Sequence, residues 1–329
     1  MLFPVIDSLF IPMPMPENIL PVLFLERLKQ IVGESYFAEL RPLFDCPHPL
    51  CVRVNLLKVA NPVHVMGRLL AQGIRSQALS FTDSAFLLEN IAKRELSDHP
   101  FIQSGELFQQ SPSSLLPVLV LAPVSGERIL DACAAPGSKT TQMAALMQGC
   151  GEIQAVEAVK HRYYKLKSVC SLLGAANVRP RLADVSRLRF PPTELYDAVL
   201  VDAPCSSEGR FKSFDPDTLA YWSPRKIAQM SYKQKGILLN ASRALRSGGR
   251  LLYSTCTFSP EENEEVVDWF LTKTQGEFSL VPFSLQGVGR IPVLEGWQKK
   301  VYRHDLSFCW RVRPDKIMTG FFMASFIRN

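Results

Sequence analysis

The stretch ILDACAAPGSKTT, Ile129–Thr141, decides the fold. Its first half is an apolar strand pattern. A tight turn of small residues follows, Cys133, Ala134, Ala135, Pro136 and Gly137. From Ser138 and Lys139 onward the run SKTTQMAALM is helical in character. Strand, turn and helix in succession open an alternating βα unit, and small residues let backbone N–H groups approach a ligand at the helix start. A phosphate-cradling loop needs glycine directly before the lysine and another five residues earlier; Ser138 and Cys133 stand there instead. A dinucleotide fingerprint needs three glycines, and this turn has only Gly137. Two readings stay open on these residues: a turn that receives a nucleoside cofactor without a phosphate, as in methyltransferases, and a turn that only shapes the chain.

Downstream the alternation continues. EIQAVEA predicts a strand reaching Glu157, HRYYKLKSVCSLLG a helix ended by Gly174, and VRPRLAD a strand closing at Asp184. YDAVLVDA predicts a buried strand whose apolar run stops at Asp202. PRKIAQMSYKQKGILLNASRALRSGG predicts one long helix halted at Gly248 and Gly249, and RLLYSTC the next strand. SPEENEEVVDWFLTKT carries a helix-start signature, with Ser259 at the N-cap, Pro260 next and Glu262 two residues later. FCWRVRP and TGFFMASFIR predict closing strands. This is the α/β class, a doubly wound parallel sheet over 106–329, in which a ligand binds beyond the carboxyl ends of the strands. Upstream, a helix (LERLKQIVGESYFAELRPLF), a strand (PLCVRVNLLK), a helix (NPVHVMGRLLAQG) and an extended run (SQALSFTDSAFLLEN) predict a small α+β module over 25–105. Residues 1–24, rich in Pro, Met and Phe, predict an irregular arm.

The chain has 329 residues with 47% hydrophobic and 21% charged, which suits a globular protein with a full core. A net charge of +6 favours polyanionic partners mildly. From Arg290 onward eight Lys/Arg face three acids, a basic tail that equally suits a solvated surface. The eight cysteines form no CxxC or Cys/His pattern, so no metal site is expected, and their place in apolar segments predicts reduced thiols in a cytoplasmic setting. The first 26 residues lack Lys and Arg, unlike a signal peptide, and the longest apolar run, LLPVLVLAPV, is about half a membrane span, so no membrane partner is expected.

Two cysteines stand apart: Cys205 in VDAPCSSEG and Cys256 in YSTCTFSPEEN, each where a predicted strand ends. DACAAPGSKT, VDAPCSSEG and YSTCTFSPEEN, in that order, resemble the RsmB/RsmF/Sun family of RNA cytosine-5 methyltransferases. CVRVNLLK resembles the RVN strand of that family's small RNA-binding module, and ELFQQSPSSLLPV, FDPDTLAYWSP and TGFFMASFIR resemble further family segments, so the likeness covers about residues 50–329. The resemblance implies a Rossmann-like methyltransferase domain that uses S-adenosylmethionine. On these positions it puts the cofactor's methionine end on Cys133–Lys139, its ribose at Glu157, its adenine near Asp184, and Asp202 near both cofactor and base. It makes Cys256 the nucleophile and Cys205 the group that helps release product. Two positions depart from the pattern: Ser138 replaces a second glycine, and Thr319 stands where Asp is common before GFF.

Cysteine suits this chemistry because C5 of cytosine becomes nucleophilic only after a soft nucleophile adds to C6. Asp202 would protonate or hydrogen-bond N3 during that addition. The expected partner is RNA, ribosomal RNA before transfer RNA, and the protein is expected to act as a monomer. RNA would be gripped by the basic tail, the Lys160, Arg162, Lys165 and Lys167 helix face, Arg210, Lys212 and the small module. Phe211 and Phe214 suit either base stacking or core packing. Other readings are a DNA cytosine methyltransferase, which would not need Cys256, and a non-catalytic RNA-binding assembly factor.

Overall fold

In a computed structural model of the chain, which describes residues 19–193 and 195–329, the strand expected at ILDA forms and lies inside a nine-stranded sheet. The chain enters through α1 (Val22–Leu40), which is interrupted at Gly33. β1 (Leu50–Val54), α2 (Pro62–Leu70), β2 (Arg75–Leu79), β3 (Thr82–Glu89), α3 (Lys93–Asp98), α4 (Pro100–Gln103) and β4 (Leu107–Gln109) follow. The four strands make an antiparallel sheet in the order β2-β3-β1-β4. The small sheet thus extends to Gln109, past the expected boundary at 105. Most of the expected arm, 1–24, lies outside the described residues; its last three residues already belong to α1.

α5 (Pro112–Leu121) leads into the large sheet. There β5 (Arg128–Asp131), α6 (Ser138–Leu146), β6 (Glu152–Glu157), α7 (Lys160–Leu172), β7 (Val178–Leu182), β8 (Tyr196–Asp202), α8 (Pro224–Ser242) and β9 (Leu245–Thr255) alternate as predicted. These strands are parallel in the order β7-β6-β5-β8-β9. After α9 (Glu264–Thr274) come β10 (Phe278–Leu280), β11 (Arg290–Ile291), a two-stranded hairpin of β12 (Gly296–Trp297) and β13 (Lys300–Val301), then β14 (Trp310–Val312) and β15 (Phe321–Arg328). β15 runs antiparallel to β9, and β14 and β10 pair with β15, so the expected parallel sheet carries an antiparallel edge.

Both faces of this sheet are covered, which explains the unbroken apolar run in β8. Ala198 and Leu200 pack with Met143 of α6 and Leu166 of α7, while Val199 and Val201 pack with Leu238 of α8 and Phe270 of α9. Each fully buried Val, Leu, Met or Phe among them contributes about 2 kcal/mol, and Ala198 under about 1. The small sheet has its own core of Val52, Leu69, Leu88 and Phe101.

Two helix boundaries of the large domain also differ from expectation. The long helix ends at Ser242, and β9 begins at Leu245 and carries Gly248 and Gly249 within it. Buried Ala241, Ala244 and Leu245 pull the chain into the sheet before the glycines are reached. The last helix begins at Glu264, with Asn263 rather than Ser259 at its N-cap. The carboxylate of Glu262 accepts instead from the Ser206 backbone N–H at 2.9 Å, and the Ser259 hydroxyl donates to Glu208 at 2.8 Å. Tertiary partners have taken both capping side chains.

Candidate active site

β5, β6, β7 and β8 end on one side of the sheet, and the strand order reverses between β5 and β8. A cavity of about 820 Å³ opens there. Such a switch point is where doubly wound sheets hold ligands.

The turn after β5 forms one wall. Gly137 has φ 111°, a left-handed conformation that L-residues rarely adopt, and a Cβ there would crowd Val169 and Leu166 of α7. It is also the N-cap of α6, with no side-chain cap on the first turn. The first N–H groups of α6 are therefore available to a carboxylate such as that of an amino acid. Cys133, Ala134, Ala135, Pro136, Ser138 and Lys139 line the cavity, whereas Gly137 shapes the turn from behind. Glu157 and Asp184 line it as well. Glu157 accepts from the Val159 N–H at 2.8 Å and faces Arg162 at 3.5 Å. Arg162 also donates to the Ala135 carbonyl at 2.6 Å, tying this carboxylate to the turn. Asp184 accepts from the backbone N–H and hydroxyl of Ser186. Asp131, not singled out from sequence, lines the cavity too; burial pushes its carboxyl up to about 7, and its Oδ1 has no partner. A strand-terminal carboxylate was the available signal for it. An uncapped helix start, successive carboxylates and an orphaned carboxyl oxygen fit a cofactor with an amino-acid end and a nucleoside end.

The other wall carries the thiols. β8 delivers the loop that bears Cys205 and β9 the loop that bears Cys256, and their sulfurs lie 3.3 Å apart. Ser207 Oγ lies 3.9 Å from Cys205 and 3.7 Å from Cys256. The hydrogen bond from the Cys205 thiol favours the Cys256 thiolate and lowers it from the ordinary thiol range; Ser207 and the Arg210 charge add to this, against burial and Asp202. The same hydrogen bond, with burial, raises Cys205. The helix start expected directly after Cys256 is displaced, and α9 begins eight residues beyond it. Beside the thiols, Lys139 Nζ donates to Asp202 Oδ2 at 2.6 Å and to Ser114 Oγ at 3.0 Å, and Ser254 donates to Asp202 Oδ1 at 2.8 Å.

Glu208, fully buried, joins the two loops. It accepts from Thr257 Oγ1 at 2.8 Å, the Phe258 N–H at 3.1 Å, Ser259 Oγ at 2.8 Å and Trp222 Nε1 at 2.8 Å. Gly209 N–H donates to the Cys256 carbonyl at 2.9 Å, and a Cβ on Gly209 would collide with the Gly320 carbonyl. Nothing local in the sequence marks these links. At the departing positions, Ser138 begins α6 on the cavity wall, and the Thr319 N–H donates to Ser113 Oγ, which donates back to the Thr319 carbonyl.

Several expected RNA contacts are engaged elsewhere. Phe211 is buried against Phe24 and Trp222, whereas Phe214 lines the cavity. Lys212 Nζ donates to the carbonyls of Leu43 and Cys46. In the tail, Arg311 is buried in a paired contact with Glu264, Arg313 pairs with Glu39 and Lys300 with Glu265. Arg210, His48 and Lys93 remain on the cavity rim.

The fold is that of the Rossmann-like methyltransferases. Residues 118–327 match the model of the family described as 16S rRNA methyltransferase RsmB/F, and the chain belongs to that family. It is 34% identical over 261 residues to the ribosomal RNA small subunit methyltransferase F of Pectobacterium carotovorum, covering 77% of this chain and 53% of that protein. It is 38% identical over 227 residues to the tRNA (cytosine(49)-C(5))-methyltransferase of Pyrococcus abyssi, covering 68% and 71%. A crystal structure of a methyltransferase homologue protein from Pyrococcus horikoshii superposes with a TM-score of 0.78 at 26% identity, covering 94% of this chain and 100% of that one. The chain spans about half the length of the ribosomal RNA methyltransferase F relatives it matches.

Proposed function

We propose that the protein methylates C5 of a cytosine in RNA, with S-adenosylmethionine as methyl donor and ribosomal RNA as the favoured substrate. The observation that carries this is the pair of thiols 3.3 Å apart, beside the Lys139–Asp202 pair and across the cavity from an uncapped helix start. When bound, the cofactor supplies an electrophilic methyl group. The α6 start and the Cys133–Lys139 turn would hold its amino-acid end, Glu157 its ribose and Asp184 its adenine.

Cys256, as thiolate, adds to C6. The S–C6 bond forms, the C5–C6 π pair moves onto C5 and the ring, and N3 takes a proton. Asp202 is the group that lends it. Its carboxylate accepts a hydrogen bond from the Lys139 ammonium, 2.6 Å away, so the proton that N3 takes comes from Lys139 and passes through Asp202. Once C5 carries its new substituent, a water in the cavity takes the C5 proton, the C–H pair re-forms the C5–C6 double bond, the Cys256 thiolate is expelled and the N3 proton returns to Asp202. Cys205, in contact with that sulfur, assists the release. The target base must leave its stack to reach a recessed thiol, which favours single-stranded or loop RNA.

Transfer RNA is the second reading, favoured by the Pyrococcus abyssi relative, of which this chain covers the larger share. The deciding experiment incubates the protein and S-adenosylmethionine with deproteinised small-subunit ribosomal RNA and with transfer RNA in parallel, then maps 5-methylcytosine by bisulfite sequencing. New signal in neither pool removes the enzymatic reading.

A further inference from the structure

The RVN residues lie in the small module, where an arginine would ordinarily be read as an RNA contact. Here Arg53 is 1% exposed and Asn55 0% exposed, so neither reaches solvent. Both point into the methyltransferase domain. Asn55 Nδ2 donates to the Gly105 carbonyl at 2.9 Å and to the Leu173 carbonyl, at the end of α7, at 2.8 Å. Arg53 Nε donates to Gln110 Oε1 at 2.9 Å, and Gln110 Nε2 donates onward to Gln142 Oε1 of α6 at 2.8 Å. Arg53 Nη2 donates to Thr141 Oγ1 at 3.0 Å, and that hydroxyl donates to the Gly137 carbonyl at 2.8 Å.

Burying a guanidinium is costly, and an apolar residue of similar volume usually packs there at lower cost. Arg53 makes no ion pair with any described carboxylate, its Nη1 has no partner, and burial draws it down to about 10. What it supplies is a rigid planar fork that meets two acceptors at once, Gln110 on its own side and Thr141 on the other. The Thr141 hydroxyl can donate to Gly137 while it accepts from Arg53, so the three groups form one directed chain.

We infer that Arg53 is a positioning residue for the cofactor. Through the Thr141 hydroxyl it fixes the Gly137 carbonyl, and with it the Cys133–Lys139 turn, from across the boundary between module and methyltransferase domain. This rests on the S-adenosylmethionine reading given above.

The test measures S-adenosylmethionine binding by calorimetry, and KM for cofactor and for RNA, in wild type, Arg53→Met, Thr141→Val, the double variant and Arg53→Lys. Arg53→Met and Thr141→Val should each weaken cofactor binding by about tenfold, because each breaks the chain that ends on the Gly137 carbonyl. KM for RNA should stay within about twofold, and the double variant should be no weaker than the worse single one. Arg53→Lys should recover part of the loss. Should Arg53→Met fail to fold, Thr141→Val, nearly isosteric, carries the test by itself. Folded variants that bind the cofactor like wild type overturn the inference, and so does an equal rise in both KM values. A wild-type protein that binds no S-adenosylmethionine overturns the cofactor reading instead.

Discussion

Cys205 and Cys256 are 51 positions apart in the chain, and their sulfurs lie 3.3 Å from each other. The contact is produced by two parallel neighbours, β8 and β9, whose registered pairing runs to Asp202 and Ser254. Each strand ends, turns into a loop and presents its cysteine at the same level. Glu208 then bonds both loops together.

The two thiols should separate cleanly in a trapping experiment. With RNA and S-adenosylmethionine, Cys205→Ala should accumulate a protein–RNA adduct that survives a denaturing gel, because bond formation is retained and release is slowed. Cys256→Ala should give none. The opposite pattern would make Cys205 the nucleophile.

The contact also predicts a pH dependence. Donation from Cys205 draws the Cys256 thiol down to about 7. Thiolate is the reactive form, so alkylation of Cys256 should rise as pH increases through that value. In Cys205→Ala the donor is gone, and the inflection should move up toward the ordinary thiol range near about 8.5. The readout is the iodoacetamide rate at the Cys256 peptide by mass spectrometry; an unmoved inflection would show that Cys205 does not support the thiolate.

Asp202→Asn preserves shape but cannot take a proton from Lys139. The turnover number should fall by about 10²–10⁴-fold, the usual weight of a general acid, with a smaller change in KM for RNA. Single-turnover methylation on a mapped substrate checks this, and a loss below about tenfold would remove Asp202 from proton transfer.

Glu208→Ala should destabilise the fold as well as the site. It removes the acceptor of Trp222 Nε1, the Phe258 N–H and Ser259 Oγ, while Thr257 Oγ1 keeps only its 2.7 Å contact with Ser206 Oγ. At about 1–3 kcal/mol for each stranded donor, the expected cost is about 3–5 kcal/mol, or roughly 10 °C in Tm for a domain of this size. Thermal unfolding followed by circular dichroism measures it. A melting point within about 2 °C of wild type would mean that the two loops are held by something else.

Much of the architecture was legible in local pattern. Alternating apolar strands and helices specify a doubly wound sheet, because a strand buried on both faces must be apolar on both faces, as AVLV of β8 is. The strand-end positions of Asp131, Glu157, Asp202 and Cys256 follow from the same pattern, since polar residues are tolerated where the sheet stops. Helix ends were less legible. Ser259 and Glu262 have the chemistry of a cap, yet Glu208 and Ser206 engage them, and a side chain's partner depends on what the rest of the chain brings near.

The sequence by itself determined the order of strands and helices in the parallel sheet, the turn at Gly137 and the residue types the site contains, because each depends on neighbours a few positions away. The tertiary structure alone decided which of them meet. It placed sulfur against sulfur, put Lys139 on Asp202 across 63 positions, and turned Arg53 inward to Thr141 across 88. It also engaged Arg311 and Lys212 in internal contacts where charge count alone allowed an RNA surface. Strand order, register and burial set those contacts, and they are properties of the packed chain rather than of any stretch of it.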